Sequence, residues 1–285
     1  MAKKRTQCFM RFPGGLARAL TLSYDDGVQQ DRRLIEILNK HGIKATFNLN
    51  SGLYAPEDVV YPPHKVHRRL RESEILEVYG NSGHEVAVHT FTHPHLEYMT
   101  PGTIAYEIVK DRETLEAQFG CIIRGMAYPY GTYNDEVVAV LKDCGIAYAR
   151  TVVSTKKFDI PTDWLRLHAT CHHKDKDLMV LADKFVNGMK KAMSPQLFYL
   201  WGHSYEFEMD DNWNVIEEFA EFIGNREDIW YATNIEIYEY IEDYKRLIYS
   251  ADGATVKNPT NRTLWLALTE GKLYSVAPGE TLKID

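Results

Sequence analysis

Short apolar runs recur along this chain, each closed by a polar cluster and followed by an amphipathic segment. Residues 19–23, 43–49, 85–88, 125–128, 146–150 and 196–201 read as strands. Residues 31–38, which are apolar at helical spacing and closed by Gly42, read as a helix, as do 65–79, 103–119 and 135–142. Such alternation is the pattern of β/α units wound around a mainly parallel sheet. The pattern changes after Tyr249. Residues 254–257, 263–268 and 273–276 run apolar or alternate between Gly, Pro and Asn turns, with no helical period. The expected organisation is a main domain over 1–249 and a small antiparallel β appendage over 250–285.

Composition narrows the class. With 285 residues and 45% hydrophobic content the chain can bury a sizeable core, which excludes disorder and a disulfide-stapled scaffold. Thirty-three Lys and Arg against 40 Asp and Glu give a net charge of −7, the wrong sign for a nucleic-acid partner. No apolar stretch approaches the roughly 20 residues of a membrane helix. The basic start lacks the apolar run of a secretory signal, so a cytoplasmic protein without membrane contact is expected. Cys8, Cys121, Cys144 and Cys171 form no C-x-x-C pair, which excludes zinc ribbons and thioredoxin-like chemistry. Cys171-His172-His173 is metal-like in composition. Adjacent side chains rarely converge on one ion, so these read as ordinary surface or cleft residues.

The chemistry lies at strand ends. Asp25-Asp26-Gly27, His89 to His93, Pro129-Tyr130-Gly131 and Gly202-His203 each follow an apolar run directly. The carboxyl ends of parallel strands are where active sites assemble, so four such clusters point to one shared cleft. His89 and His93 are four apart, but Pro94 disfavours the α region at His93 and favours a turn. Two imidazoles and one carboxylate make a three-ligand metal site with an open position, and Asp25 or Asp26 can supply the carboxylate. The competing readings are a solvated His-rich loop that includes His95, and an Asx-turn or helix cap at the acids. Adjacent acids at a strand end point different ways. One can then bind metal while the other stays free as a base, the division that metal-assisted hydrolysis needs.

Taken together, Ser23-Tyr-Asp-Asp-Gly27, the run from Gly83 to Leu96 and Tyr128-Pro-Tyr-Gly-Thr-Tyr-Asn134 resemble, in order and spacing, the motifs of the polysaccharide deacetylase (NodB homology) family. The resemblance implies an α/β fold, a distorted (β/α) barrel with fewer strands than the eight-stranded form. It implies a metal-dependent hydrolase that cleaves a non-peptide C–N amide bond, removing acetyl groups from an N-acetylated sugar or oligosaccharide. One divalent metal, Zn2+, would be held by Asp26, His89 and His93. Asp25 would be the catalytic base, the backbone N–H of Tyr130 would face the oxyanion, and His203 would be the general acid, beside a Gly202 that clears room. The family pattern often has an arginine two residues before the Pro-Tyr pair to hold the base, and here that position is Ala127. Arg166, read as lying inside an apolar strand, is the candidate replacement, because a buried arginine implies an anionic partner. A surface-facing Arg166 is the other reading. Residues 159–164 only loosely resemble the family's Asp/Trp motif. A same-fold hydrolase of a small amide or imide, and a silent carbohydrate-binding protein, are the alternatives. The expected partner is an N-acetylated saccharide, and whether the chain forms a homo-oligomer is left open.

Overall fold

A computed structural model describes residues 7–188 and 194–284. A short β1 (Cys8–Arg11) leads into β2 (Arg18–Asp25), which is buried along its whole length. Then come α1 (Asp31–Lys40), β3 (Ala45–Leu49), α2 (Glu72–Tyr79), β4 (Glu85–Val88), α3 (Pro101–Phe119), β5 (Gly125–Ala127), α4 (Asp135–Asp143) and β6 (Tyr148–Ser154). They are followed by β7 (Leu167–Ala169), β8 (Cys171–His172), α5 (Leu178–Asn187), β9 (Gln196–Gly202), α6 (Tyr205–Met209), α7 (Asn214–Ile223), β10 (Ile229–Tyr231) and α8 (Asn234–Lys245). Five short strands end the described chain: β11 (Ile248–Tyr249), β12 (Thr255–Lys257), β13 (Leu264–Leu268), β14 (Leu273–Val276) and β15 (Thr281–Lys283).

Strands run β7-β6-β5-β4-β3-β2-β9-β8, each parallel to its neighbour. Only Thr170 separates β7 from β8. β7 pairs with β6, β8 pairs with β9, and the Thr170 N–H donates to Tyr199 O at 2.8 Å. One short stretch of chain therefore joins both ends of the sheet and closes it. β10 pairs with the first half of β2, whose second half pairs with β3. The result is the distorted (β/α) barrel that the motif resemblance implied.

Period-two alternation sets the two faces of β2. Leu20, Leu22 and Tyr24 face the helices, meeting Leu34, Ile35 and Leu38 of α1 in the larger core. Each such fully buried side chain contributes about 1.5–3 kcal/mol. Thr21, Ser23 and Asp25 face the other way, into a polar lumen. The N-terminus of α8 plugs the lower end of that lumen. Asn234 accepts from Thr21 Oγ1 (2.8 Å) and donates to Tyr199 OH (2.7 Å), and its own N–H reaches Thr46 Oγ1 (3.1 Å). Beside it Glu85 accepts from Thr46 Oγ1, Tyr148 OH and the Ile235 N–H. Burial pushes the Glu85 carboxyl up to about 7.

Two sequence expectations need correction, and the C-terminal pairing is fuller than expected. The helix expected over 65–79 begins only at Glu72. Residues 68–70 are instead held extended, with the Gln29 N–H on Arg68 O, the Leu70 N–H on Gly27 O and the Ala55 N–H on Leu70 O. Tertiary pairing overrides local propensity there. Trp164–Arg166 form a single 3-10 turn before β7, which takes Arg166 out of the strand. The C-terminal strands do form, but β13 pairs with β1 as well as β14, while β11, β12 and β15 make a separate antiparallel sheet. This region packs on α8, where Tyr240 OH donates to Arg11 O (2.6 Å) and accepts the Trp265 N–H (3.0 Å). Among the described residues no helix is long and apolar enough to cross a membrane.

Candidate active site

Asp25 ends β2 facing the lumen, 3% exposed. Its Oδ1 accepts Asn48 Nδ2 at 2.8 Å, and its Oδ2 takes a short hydrogen bond from Arg150, which is 0% exposed. The Arg150 guanidinium also lies over the Trp201 ring, 4.4 Å from its centroid. Burial alone would push the Asp25 carboxyl up, but Arg150, His89 and His203 together hold it below the ordinary carboxylate range. Arg150, on β6, therefore does what the sequence reading assigned to Arg166. Arg166 itself is not near Asp25. It is paired with Asp163 (2.8 Å) and Asp135 (2.6 Å) at the surface, its side chain one-third exposed. The signal was present: Arg150 also lies in an apolar strand, Tyr148 to Val153.

Asp26, His89 and His93 bring one ligand atom each within 4.8 Å of one another. The His89 Nδ1–H donates to Ala127 O at 2.8 Å, which leaves Nε2 with the lone pair turned into the site. Burial, opposed by Asp25 and Asp26, lowers His89; burial and the neighbouring His89 push His93 down to about 4. Both imidazoles are thus neutral near pH 7, as metal ligation requires. Burial opposes ionisation of Asp26, but the His67 hydrogen bond, His89 and Arg69 outweigh it and hold the carboxyl far below its ordinary value. This donor set fits a divalent cation. Asp26, Thr90, His93 and Tyr130 all hold positive φ (85°, 66°, 56° and 57°), strain that persists only where the surroundings fix it.

Tyr130 follows β5 in a single turn, and its N–H has no partner among the described residues. Its ring stacks on His95 with centroids 3.8 Å apart and meets His93 edge-on. Across the cleft, His203 Nε2 lies 3.7 Å from Asp25 Oδ2 and Nδ1 lies 3.2 Å from Glu206 Oε2. Burial disfavours the His203 cation, but Glu206, Asp25 and Asp26 prevail and raise its pKa.

Glu206 was not singled out in the sequence, although it stands three residues after His203. The two supposedly ordinary histidines converge on it. His172 Nε2 and His173 Nε2 lie 3.2 and 3.3 Å from its Oε2, and Lys174 Nζ lies 3.2 Å from Oε1. His172 Nδ1 accepts the Lys174 backbone N–H, which places the ring's proton on Nε2, facing Glu206. A nitrogen carrying that proton has no lone pair for a cation. In that tautomer His172 offers Glu206 a donor rather than a ligand atom, while neither ring nitrogen of the buried His173 makes a hydrogen bond among the described residues. Gly202 does clear room, but for His173: a Cβ there would stand 2.1 Å from His173 Nδ1.

Residues 14–149 match the family model for polysaccharide deacetylase. The chain is similar to a chitooligosaccharide deacetylase of Bradyrhizobium sp. (strain ANU 289), 30% identical over 152 residues, 52% of this chain and 60% of that protein. A chitooligosaccharide deacetylase of Sinorhizobium fredii (strain NBRC 101917 / NGR234) is 26% identical over 155 residues, 53% of this chain and 61% of that protein. The chain thus spans about 60% of the length of these relatives. A Mycobacterium smegmatis protein that carries the polysaccharide deacetylase name has the same fold, with a TM-score of 0.58 at 17% identity over 85% of this chain and 96% of that one. Residues 14–149, a little under half of the chain, are thus similar to the polysaccharide deacetylase family.

Proposed function

We propose that this chain is a metal-dependent hydrolase that removes acetyl groups from an N-acetylated saccharide. The observation that carries this reading is the placing of an ionised, arginine-held carboxylate, Asp25, between a His/His/Asp donor set and a protonatable histidine. Asp26, His89 and His93 would hold one divalent ion, Zn2+ by the character of its ligands. When bound, it would supply Lewis-acid polarisation of the acyl carbonyl.

This chain's own residues divide the remaining work. Asp25, kept ionised, takes a proton from the attacking water. The unpartnered Tyr130 N–H offers a donor to the oxyanion as the carbonyl becomes tetrahedral. His203, its Nδ1 anchored on Glu206, delivers a proton from Nε2 to the departing nitrogen. The C–N bond breaks and acetate and a free amine leave. A saccharide substrate is supported by the flat rings at the mouth: Tyr130 is 53% exposed and stacked on His95, and Tyr98 beside it is 83% exposed. Sugar rings present flat C–H faces to such surfaces.

The test is acetate release from N-acetylglucosamine and its short oligomers, with an acyclic amide and a cyclic imide as controls, before and after chelation. Chelator-sensitive release from the sugars that Asp25→Asn abolishes supports the reading. Turnover of the amide or imide alone would move the substrate outside the saccharides, and chelator-insensitive turnover would remove the metal.

A further inference from the structure

The loop joining β3 to α2 carries a residue that ties the metal-ligand strands together. Asp26 sits at φ 85°, in a region a non-glycine side chain rarely adopts, so something must hold it there. Arg69 does so with two of its three hydrogen bonds. Its Nη1 donates to Asp26 O (2.6 Å) and to Asn50 Oδ1 (3.0 Å), and its Nη2 donates to Asp26 Oδ1 (3.2 Å). Asn50 in turn donates through Nδ2 to the carbonyls of His89 and Thr90, the backbone that carries the first histidine.

The arginine is itself fixed. Its side chain is mostly buried, its flanking residues are bonded to Gly27 and Gln29, and its own carbonyl accepts Tyr61 OH at 2.9 Å. With Oδ1 held by Arg69, Asp26 keeps Oδ2 as its second oxygen; His67 Nε2 lies 3.2 Å from it.

We propose that Arg69 is a positioning residue for the metal site, fixing the strained backbone and carboxylate of Asp26 and linking it through Asn50 to the His89 strand. The proposal rests on the reading of Asp26, His89 and His93 as the metal ligands. Charge and geometry make opposite demands on it. A guanidinium beside a cation site repels the cation, so an arginine that only neutralised Asp26 would weaken metal binding, and its removal would tighten it. A positioning arginine does the reverse, because partners that orient a ligand typically support 10–100-fold in metal affinity.

The experiment is calorimetric titration of the chelator-stripped full chain with Zn2+ and Co2+, using wild type, Arg69→Lys and Arg69→Met. Circular dichroism and thermal midpoint in chelator check that each variant folds. The expected order of affinity is wild type, then Lys, which keeps the charge but lacks the fork, then Met, weaker than wild type by roughly 10–100-fold. Arg69→Met binding as tightly as wild type or more tightly, with intact folding, overturns the proposal alone. Should Met fail to fold, Arg69→Lys decides, since a purely electrostatic role leaves its affinity at the wild-type value. A wild-type chain that binds neither ion overturns the metal reading and the proposal together.

Discussion

Arg150 and Asp25 are a buried ion pair whose energetics can be worked from its surroundings. Arg150→Met leaves the Asp25 carboxylate, 3% exposed, with only Asn48 as a direct hydrogen-bond donor. Asp25→Asn leaves a fully buried guanidinium with the Thr151 carbonyl (3.3 Å) and the face of Trp201. Removing one partner of a buried pair costs about 3–5 kcal/mol, because the other charge stays desolvated. Independent sites would therefore add to roughly 6–10 kcal/mol in the double variant. The double variant leaves neither charge of this pair buried alone, so its loss should be only about 1–3 kcal/mol, from hydrogen bonds and packing. Urea unfolding followed by tryptophan fluorescence measures all four proteins, with chelator present so that metal linkage does not enter. The chain's five tryptophans include Trp201, which lies on the arginine itself. Losses that add within about 0.5 kcal/mol would refute the pairing.

Activity should separate the two arginines. Arg150→Met removes a cation that keeps Asp25 below its ordinary value, so the base stays protonated to higher pH and the acid limb of kcat/KM moves up. Arg166→Met, at an exposed pair, should leave that limb in place and change stability by less than about 1 kcal/mol. Asp25→Asn should keep the metal and lose most activity, whereas His89→Ala should lose most bound metal by elemental analysis; the opposite pattern would reassign the roles. Glu85, with its carboxyl pushed up to about 7, keeps a proton that the unfolded chain sheds near its ordinary pKa of about 4.3. Its contribution to stability should then fall as pH rises from about 4 to 7 and stay level above. Glu85→Gln should flatten that part of the urea-midpoint profile, and an unchanged slope would mean that Glu85 is ionised in the native state.

What could be read in advance follows from sequence separation. Strands and helices announce themselves by local period, and Asp25, Asp26, His89 and His93 sit directly after strands, so position within a unit located them. Arg150 was missed because its partner lies 125 residues away, and the criterion that an arginine in an apolar strand needs an anion was applied to Arg166 instead. Local pattern also misplaced Arg166, since Trp164–Arg166 turn before the strand starts. The 65–71 segment carries helix-compatible residues, yet backbone bonds to Gly27 and Gln29 hold residues 68–70 extended and deliver Arg69 to Asp26. Glu206 was within reach of a spacing argument, three residues past His203. His172 and His173 were not, because their convergence depends on how β8 ends beside β9.

The pairing of β1 with β13 fixes the order in which this molecule can be assembled. Cys8 lies opposite Leu268, so the first strand leaves the ribosome some 260 residues before its partner exists. At about 5–20 residues per second that interval is roughly 10–50 s. β2 waits almost as long for one edge, because its neighbours β9 and β10 are also late in the chain. Throughout this time the nascent chain carries unpaired apolar strand edges, the feature that invites mispairing with other chains. A stalled ribosome or a premature stop anywhere before β13 leaves β1 unpaired, and one before β9 also leaves the barrel open. Synthesis of β13 is therefore what ends the exposure of β1.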